Sequence, residues 1–101
     1  MPYEVLSEWS GNVIKYLYRY RINQQEIANG AEMSESYLCR LLHMENPRLS
    51  SCEKVDRSVA QSLEERDFDS SDYLELQKGV RSALARKYES CGIVSHDSRM
   101  V

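Results

Sequence analysis

The sequence predicts an all-α fold of five helices. The chain has 101 residues but only two prolines and four glycines, and no stretch alternates apolar and polar residues as a convincing strand would. Apolar residues instead recur at steps of three and four, the repeat of a helix with one buried face. Hydrophobic residues make up 42% of the chain, enough for one small helical core but not for two.

The first helix is expected to begin at Ser7 or Ser10 and to end at Tyr20. Its apolar face is formed by Val13, Ile14, Leu17 and either Tyr18 or Tyr20. Asn23 then suits the N-cap of a short second helix, with Glu26 placed three residues later as in a capping box. We expect that helix over residues 24–29, with Gly30 or the residues after it as the break.

Ser34 is the predicted N-cap of the third helix, which we expect to reach His43. Asn46-Pro47 indicates a loop, because the residue before proline avoids helical angles. Ser50 or Ser51 is then expected to cap a fourth helix, whose apolar stripe is Cys52, Val55, Val59 and Leu63.

The polar break at residues 67–71 separates a fifth, amphipathic helix that we expect to run from its cap at Ser70 or Ser71 to about Glu89. Its apolar stripe is Tyr73, Leu76, Val80, Leu84 and Tyr88. This stripe either closes the core or pairs with its copy across a two-fold axis, and we favour a homodimer interface over residues 70–90. Residues 91–101 are expected to form a frayed tail.

Residues 23–43 form the most informative stretch. They read as two short helices joined by a tight turn, with apolar residues where the two helices must bury their inner faces. Ala28 supplies the small residue that a close crossing needs, and Met33 is expected to fill the gap after the turn. Leu38 and Leu41 would seat the second helix of the pair, and the polar residues then project outward. We refer to residues 23–43 as the α2–α3 unit.

This unit resembles the Xre/Cro family of lambda-repressor-like helix-turn-helix domains. The resemblance covers about residues 12–66 and is carried by Gln24, Ile27, Ala28, Ala31, Met33, Ser34, Leu38 and Arg40. It implies a five-helix lambda-repressor-like bundle with a DNA-binding domain over residues 7–66. It also implies a transcriptional regulator, most simply a repressor, that places residues 34–43 in the major groove of a pseudo-palindromic operator.

The resemblance also implies the residues that contact double-stranded DNA. They are Gln24, Gln25, Ser34, Glu35, Ser36, Tyr37, Arg40 and Arg48. Gln24 and Arg48 would contact phosphates, while Ser34, Glu35, Ser36 and Arg40 would read base edges or adjacent phosphates. Tyr37 would pack against a sugar or remain structural.

Three residues depart from the family pattern. Glu32 occupies the turn position that glycine usually holds because the backbone there takes a positive φ. Leu42 replaces a frequent acid, and Glu35 places a carboxylate at an expected contact position. An acid there would accept from cytosine N4 or repel phosphate.

The distribution of charge along the chain limits which other classes of function are possible. The net charge is −3, but residues 58–77 carry six acids against Arg66 alone, so most of the excess acid lies outside the α2–α3 unit. The rival interpretation is a protein-interaction module that keeps the same fold, since the surface is acidic and rich in tyrosine.

No known enzyme motif occurs, and three widely spaced cysteines do not match a zinc site. We expect no catalysis, metal, cofactor or small-molecule ligand. The sequence shows neither a secretory signal nor an apolar run near the roughly 20 residues of a membrane span, so we expect a cytoplasmic protein without a membrane partner.

Overall fold

Five α-helices follow one another in the computed structural model, which describes residues 7–90 of the chain. They are α1 (Glu8–Tyr20), α2 (Gln24–Gly30), α3 (Glu35–Leu42), α4 (Leu49–Glu65) and α5 (Ser71–Ser90). Residues 7–90 contain no β-strand, so the predicted all-α fold is confirmed. The predicted tail, 91–101, lies outside the described residues.

Polar N-caps set the starts of the first three helices. The side chains of Ser7, Asn23 and Ser34 accept hydrogen bonds from the backbone N–H three residues ahead, at 3.1, 2.8 and 3.1 Å. Each bond satisfies one of the N–H groups that a helix start leaves without a partner. The predicted caps Asn23 and Ser34 are confirmed, and Ser7 is the cap of α1 at the earlier of the two predicted starts.

The predicted start of α4 is wrong by two to three residues. The helix begins at Leu49, and Arg48 at the N-cap position makes no side-chain cap hydrogen bond. The reason is tertiary, because Pro47 is buried and its carbonyl accepts a hydrogen bond from the Tyr88 hydroxyl. That contact anchors the chain just before α4. The Ser51 hydroxyl, free of a capping role, lies 3.1 Å from the hydroxyl of Tyr37.

Helix α4 lies at the centre of the molecule and packs against α1, α2 and α5. One continuous core joins all five helices, and its members include Trp9, Val13, Ile27, Leu38, Leu41, Leu42, Cys52, Val55, Val59, Leu63, Tyr73 and Val80. Because Tyr73 and Val80 belong to this core, α5 is packed onto the helices that precede it.

Three residues other than glycine adopt left-handed backbone angles at helix ends. Arg21, Glu32 and Asp67 have φ of 57°, 60° and 63°. The positive φ predicted at Glu32 is therefore confirmed, and a side chain occupies a conformation that glycine adopts at lower cost.

No helix within residues 7–90 combines the length and the apolar character that crossing a membrane requires.

Candidate nucleic-acid interface

The turn between α2 and α3 is fixed by backbone hydrogen bonds. The N–H of Ala31 donates to the carbonyl of Ile27 at 2.9 Å, and the N–H of Met33 donates to the carbonyl of Ala28 at 2.9 Å. These bonds occupy carbonyls that the end of α2 would otherwise leave open. The turn thus holds a defined angle between two short helices.

The inner faces of α2 and α3 are packed into the core. Ala28 is 1% exposed, and Leu38 and Leu41 are 0% exposed. Met33 is partly buried against the same core, as its predicted position after the turn requires. Leu42 is also 0% exposed, so the apolar residue at this position serves the core.

The outer face of α3 is open to solvent. Glu35, Ser36 and Arg40 are exposed, as is Ser34 at the N-cap. The Ser34 hydroxyl accepts from the backbone of Tyr37, so it retains only part of its hydrogen-bonding capacity for another molecule. These four predicted site residues lie together on one short helix.

Cys39 lies on the same helix and is exposed. The side chain of the C-cap residue, His43, turns back toward it. His43 Nδ1 is 2.8 Å from the Cys39 carbonyl, so the ring helps to close the end of α3.

The other predicted DNA-binding residues lie on neighbouring segments. Gln25 is exposed on the first turn of α2, and Gln24 is half-buried beside Ile14 and Tyr18 of α1. Arg48 is exposed at the start of α4. Tyr37 is half-buried, with its hydroxyl 3.1 Å from that of Ser51, so it ties α3 to α4. Its position favours a structural role over packing against a DNA sugar.

A charged clamp fixes α2 on α4. The carboxylate of Glu26 accepts two hydrogen bonds from the Arg66 guanidinium, at 2.8 and 3.0 Å, and a third from the Ser62 hydroxyl at 2.8 Å. The hydrogen bond from Arg66 lowers the pKa of Glu26, and burial opposes it. The carboxylate that a capping box would use is therefore engaged by α4.

Close backbone approach completes the contact between α2 and α4. The Ser58 hydroxyl donates to the carbonyl of Ile27 at 2.9 Å. A Cβ added at Gly30 would lie 2.3 Å from that hydroxyl oxygen, a distance that packed atoms do not tolerate. Glycine at position 30 therefore has a packing reason beyond ending α2.

A buried carboxylate joins α1, α4 and α5. Asp56 is 0% exposed and accepts hydrogen bonds from four side chains. These are Trp9 Nε1 at 3.1 Å, the Tyr73 hydroxyl at 2.7 Å, Gln77 Nε2 at 3.1 Å and Arg81 Nε at 2.9 Å. We call these five residues the Asp56 network. Burial raises the pKa of Asp56, and the donors oppose that rise.

Sequence reasoning missed the Asp56 network, although a signal for it existed. Asp56 follows Cys52 by four residues and so shares the apolar face of α4. Gln77 and Arg81 follow Tyr73 at steps of four on the core side of α5. Polar residues at core positions predict a buried polar cluster, because unpaired burial would be too costly.

The predicted dimer residues on α5 divide into two groups. Tyr73, Val80 and Tyr88 are 0%, 8% and 4% exposed, and Leu84 is partly buried against the core. Only Leu76, at 41% exposed, faces solvent freely. As a set, the stripe closes the core of its own chain, so the prediction that these five residues together form a dimer interface is corrected.

Ion pairs between residues 12–57 and residues 58–90 increase the difference in charge between these two segments. Residues 12–57 contain seven basic and six acidic residues. Two of those acids, Glu26 and Asp56, are paired with Arg66 and Arg81 from later in the chain. With these two pairs set aside, residues 12–57 carry seven basic against four acidic residues. Residues 58–90 then carry three basic against seven acidic residues. The segment that contains the α2–α3 unit is thus the basic part of the described surface.

Comparisons of the chain with protein-family models, with curated proteins and with solved structures give no significant match. Within the described helices and loops, no three His, Cys, Asp or Glu side chains come together in a way that could hold a metal ion.

Proposed function

We propose that the protein is a sequence-specific DNA-binding transcriptional regulator whose helices form a lambda-repressor-like bundle. In this proposal α3 enters the major groove of a pseudo-palindromic operator. The supporting observation is the outer face of α3, which is exposed along Ser34, Glu35, Ser36 and Arg40 while Leu38 and Leu41 hold the inner face in the core. A helix fixed in this way presents polar side chains to a groove wide enough to admit it.

The chemistry of the exposed face suits the edges of base pairs. Arg40 can donate two hydrogen bonds to guanine O6 and N7, and serine hydroxyls can donate or accept. Glu35 can accept from cytosine N4. These residues assign specificity to α3, whereas the flanking segments would position the protein on the duplex.

Phosphate contacts would come from either side of α3. Gln24 and Gln25 lie on the first turn of α2, and Arg48 precedes α4. The excess of basic over acidic residues that remains in 12–57 once Glu26 and Asp56 are paired with Arg66 and Arg81 supports this orientation, because phosphates select for positive charge. The acidic residues of 58–90 would then face away from the duplex.

Two copies bound to an inverted repeat would place their α3 helices about one turn of DNA apart, roughly 34 Å. Repression by occlusion of a promoter is the simplest mode for this regulator.

Selection of bound sequences from a random double-stranded DNA pool tests the proposal. We expect enrichment of an inverted repeat with half-sites about 10 base pairs apart. Enrichment of a single unrepeated motif would support DNA binding by one copy. Failure to enrich any sequence would contradict the proposal.

Arg40→Ala tests the assignment of α3 to the groove. We expect it to weaken operator binding by about 1–3 kcal/mol, because a base or phosphate contact is lost. The free energy of unfolding should change by less than about 0.5 kcal/mol, since Arg40 is exposed. Lys78→Ala is the matched control: it removes one positive charge from an exposed site on α5. Equal losses of binding in both variants would point to net charge instead of a specific contact.

The rival function is a protein-interaction module with the same fold. It is favoured by the exposed acids Glu32 and Glu35 and by Tyr18, which is 80% exposed. Retention on random-sequence DNA at low salt separates the two functions. A DNA-binding protein is retained and then released steeply as salt rises. A chain that passes through unretained would favour the protein partner.

A further inference from the structure

The turn between α4 and α5 presents an aromatic ring to solvent. Phe68, the single phenylalanine of the chain, is 45% exposed, although its ring centroid lies 4.6 Å from that of Tyr20 on α1. Tyr20 in turn packs on Tyr16 at 5.8 Å, and Tyr16 packs edge-on against the buried ring of Tyr73 at 4.7 Å. Tyr16 and Tyr20 are only half-buried. Three rings therefore form a partly exposed row that runs from the turn along α1.

Backbone hydrogen bonds hold this turn in place. The N–H of Phe68 donates to the carbonyl of Leu63 at 2.9 Å across the left-handed residue Asp67, as in a Schellman motif at a helix end. On the other side of the ring, the carboxylate of Asp69 accepts from the N–H of Ser71 at 2.9 Å, where α5 begins. The ring is thus presented by a fixed backbone, so a partner loses little entropy in ordering it.

Acidic residues surround the ring on the side of α4 and α5. Residues 64–75 carry six acids, and the one basic residue among them, Arg66, is held by the carboxylate of Glu26. The acids next to Phe68 in the chain and the one that precedes Tyr73 are exposed. We refer to the rings and these three acids as the Phe68 surface, which consists of Tyr16, Tyr20, Asp67, Phe68, Asp69 and Asp72.

The chemistry of this surface selects for arginine. A guanidinium group stacks on the face of an aromatic ring and also donates two parallel hydrogen bonds to a carboxylate. The same acids repel phosphates, so nucleic acid is a poor match. Arg19, which is exposed beside Tyr20 on α1, leaves the excess of acid on the side of α4 and α5. Charge complementarity therefore points to a basic partner that approaches from that side.

We propose that the Phe68 surface binds an arginine-rich segment of a second protein. One arginine of the partner stacks on Phe68 and Tyr20, and others pair with Asp67, Asp69 and Asp72. The surface shares no residue with the outer face of α3. It also shares none with Glu32, Glu35 and Tyr18, which favour the rival function.

Simultaneous binding of DNA and of this partner rests on the proposed function, in which the acidic residues of 58–90 face away from the duplex. Binding of the partner does not, and it is measured without DNA. A chain that binds an arginine peptide but selects no DNA sequence would overturn only the proposed function. A chain that selects an operator but binds no such peptide would overturn only this inference.

Fluorescence anisotropy of a labelled peptide in which arginine alternates with serine is the first test. At a salt concentration of about 0.15 M, exposed charges are screened beyond about 8 Å. We expect the full chain to bind the peptide there with a Kd of about 100 μM, the weak end of specific contacts. A peptide with lysine in place of arginine should bind about twofold or more weakly, because an ammonium group does not stack as a guanidinium does. Absence of binding at about 1 mM chain, or equal binding of the lysine peptide, would overturn the proposal.

Phe68→Leu tests the ring. Leucine keeps an apolar side chain after the end of α4 but cannot stack a cation, so the Kd for the arginine peptide should rise about threefold to fivefold. Phe68→Trp should keep or strengthen binding, since tryptophan is the best aromatic partner of a cation. Tyr18→Leu is the matched control, because it removes a ring from a residue that is 80% exposed outside the Phe68 surface. Equal losses in Phe68→Leu and Tyr18→Leu would contradict the assignment to this surface.

Asp67→Asn combined with Asp72→Asn tests the carboxylates. Asparagine tolerates the left-handed backbone at position 67, so the turn is kept while two charges are removed. The Kd should rise about fivefold, the scale of two exposed ion pairs. Glu45→Gln combined with Glu89→Gln is the control. It removes two exposed acids near the other end of α5, where Glu45 and Lys87 line one groove. Equal losses in the two double variants would assign binding to net charge and overturn the proposal.

Two measurements examine other occupants of the Phe68 surface. Sedimentation of the full chain without peptide should show no self-association that depends on Phe68. Self-association that is lost in Phe68→Leu would assign the surface to a second copy of the chain. A random-sequence DNA duplex should not displace the arginine peptide from the chain, and displacement would assign the surface to DNA. Either of these two results would overturn the proposed partner.

Discussion

The α2–α3 unit and the Asp56 network hold their helices together by opposite means. The α2–α3 unit buries apolar side chains, with Leu38 and Leu41 at 0% exposure, and its outer face stays polar. The Asp56 network buries a carboxylate and four donors between α1, α4 and α5. Apolar contacts tolerate small shifts, whereas a buried charge loses its solvation and must keep its partners. The candidate DNA-binding helices therefore pack on α4, and the position of α4 depends on the Asp56 network, whose hydrogen bonds require precise geometry.

Asp56→Ala is expected to have the largest effect on stability. Its removal leaves the Arg81 guanidinium and the donors of Trp9, Tyr73 and Gln77 without their shared acceptor. Breaking a buried pair in this way costs about 3–5 kcal/mol, which urea unfolding measures. Glu75→Ala is the control, since Glu75 is an exposed acid on α5. A loss for Asp56→Ala no greater than that of the control would remove the contrast between the two regions.

Gly30→Ala tests the close approach of α2 to α4. We expect a loss of about 1–3 kcal/mol from overpacking against Ser58, partly offset by the better helix propensity of alanine. The double variant Gly30→Ala with Ser58→Ala should recover most of the loss. The hydroxyl 2.3 Å from the added Cβ is then gone, and the Ile27 carbonyl still accepts from the N–H of Ala31. Additive losses in the double variant would show that this contact is not the cause.

Glu26→Gln tests whether the stability linked to Glu26 and that linked to Asp56 depend on pH in opposite directions. Because the pKa of Glu26 is lowered in the fold from its ordinary 4.5, the carboxylate stabilises the fold above that pH. The contribution is lost as the pH falls through the lowered pKa. Asp56 has the opposite sign, since burial raises its pKa above the ordinary 3.8. Ionisation of Asp56 therefore reduces the stability of the fold as the pH rises through that raised pKa, and the hydrogen bonds that Asp56 accepts offset part of this cost.

We therefore expect Glu26→Gln to lower the free energy of unfolding at pH 7 by about 0.5–1.5 kcal/mol, a value discounted for the 32% exposure of the pair. The difference from wild type should shrink as the pH is lowered toward 3 in a series of urea titrations. Glu53→Gln is the control, because Glu53 pairs with Arg57 in solvent at 3.5 Å. A difference that stays constant with pH would show that the Glu26 charge does not stabilise the fold.

Glu32→Gly is expected to have the smallest effect and the opposite direction. The residue has φ of 60°, which glycine adopts without a Cβ penalty. A gain of about 0.5–1 kcal/mol follows, reduced by the larger freedom of glycine in the unfolded chain. Glu32→Ala removes the same charge but keeps a Cβ, so it should give no such gain. Equal gains in both variants would assign the effect to charge.

Local pattern was enough to predict much of the fold. The caps Asn23 and Ser34 were readable because a cap depends on residues within three positions, and Ser7 was one of two candidates for the start of α1. The positive φ at Glu32 was implied by the family resemblance, in which glycine usually holds that turn position. The start of α4 was not readable, since Pro47 is held by Tyr88 from the far end of the described chain.

The candidate site was predictable to the extent that helix periodicity decides which residues face outward. Ser34, Glu35, Ser36 and Arg40 are exposed on one helix as the pattern indicated. Pattern alone treated α5 as one apolar stripe, yet the helix is covered on Tyr73, Val80 and Tyr88 and open on the flank that contains Leu76 and Gly79. Which side of an amphipathic helix meets its own chain depends on how the other helices pack.

By itself the sequence determined the five helices, the caps of α2 and α3 and the polar outer face of α3, because each of these depends on neighbours within one or two turns. Tertiary structure alone decided that Asp56 is buried among four donors, that Glu26 and Asp56 are neutralised by distant arginines, and that Gly30 is crowded while Gly79 is open. These features depend on distances between residues far apart in the chain. Hydrogen bonds and Coulomb interactions act over a few ångströms of space, whatever the separation in sequence.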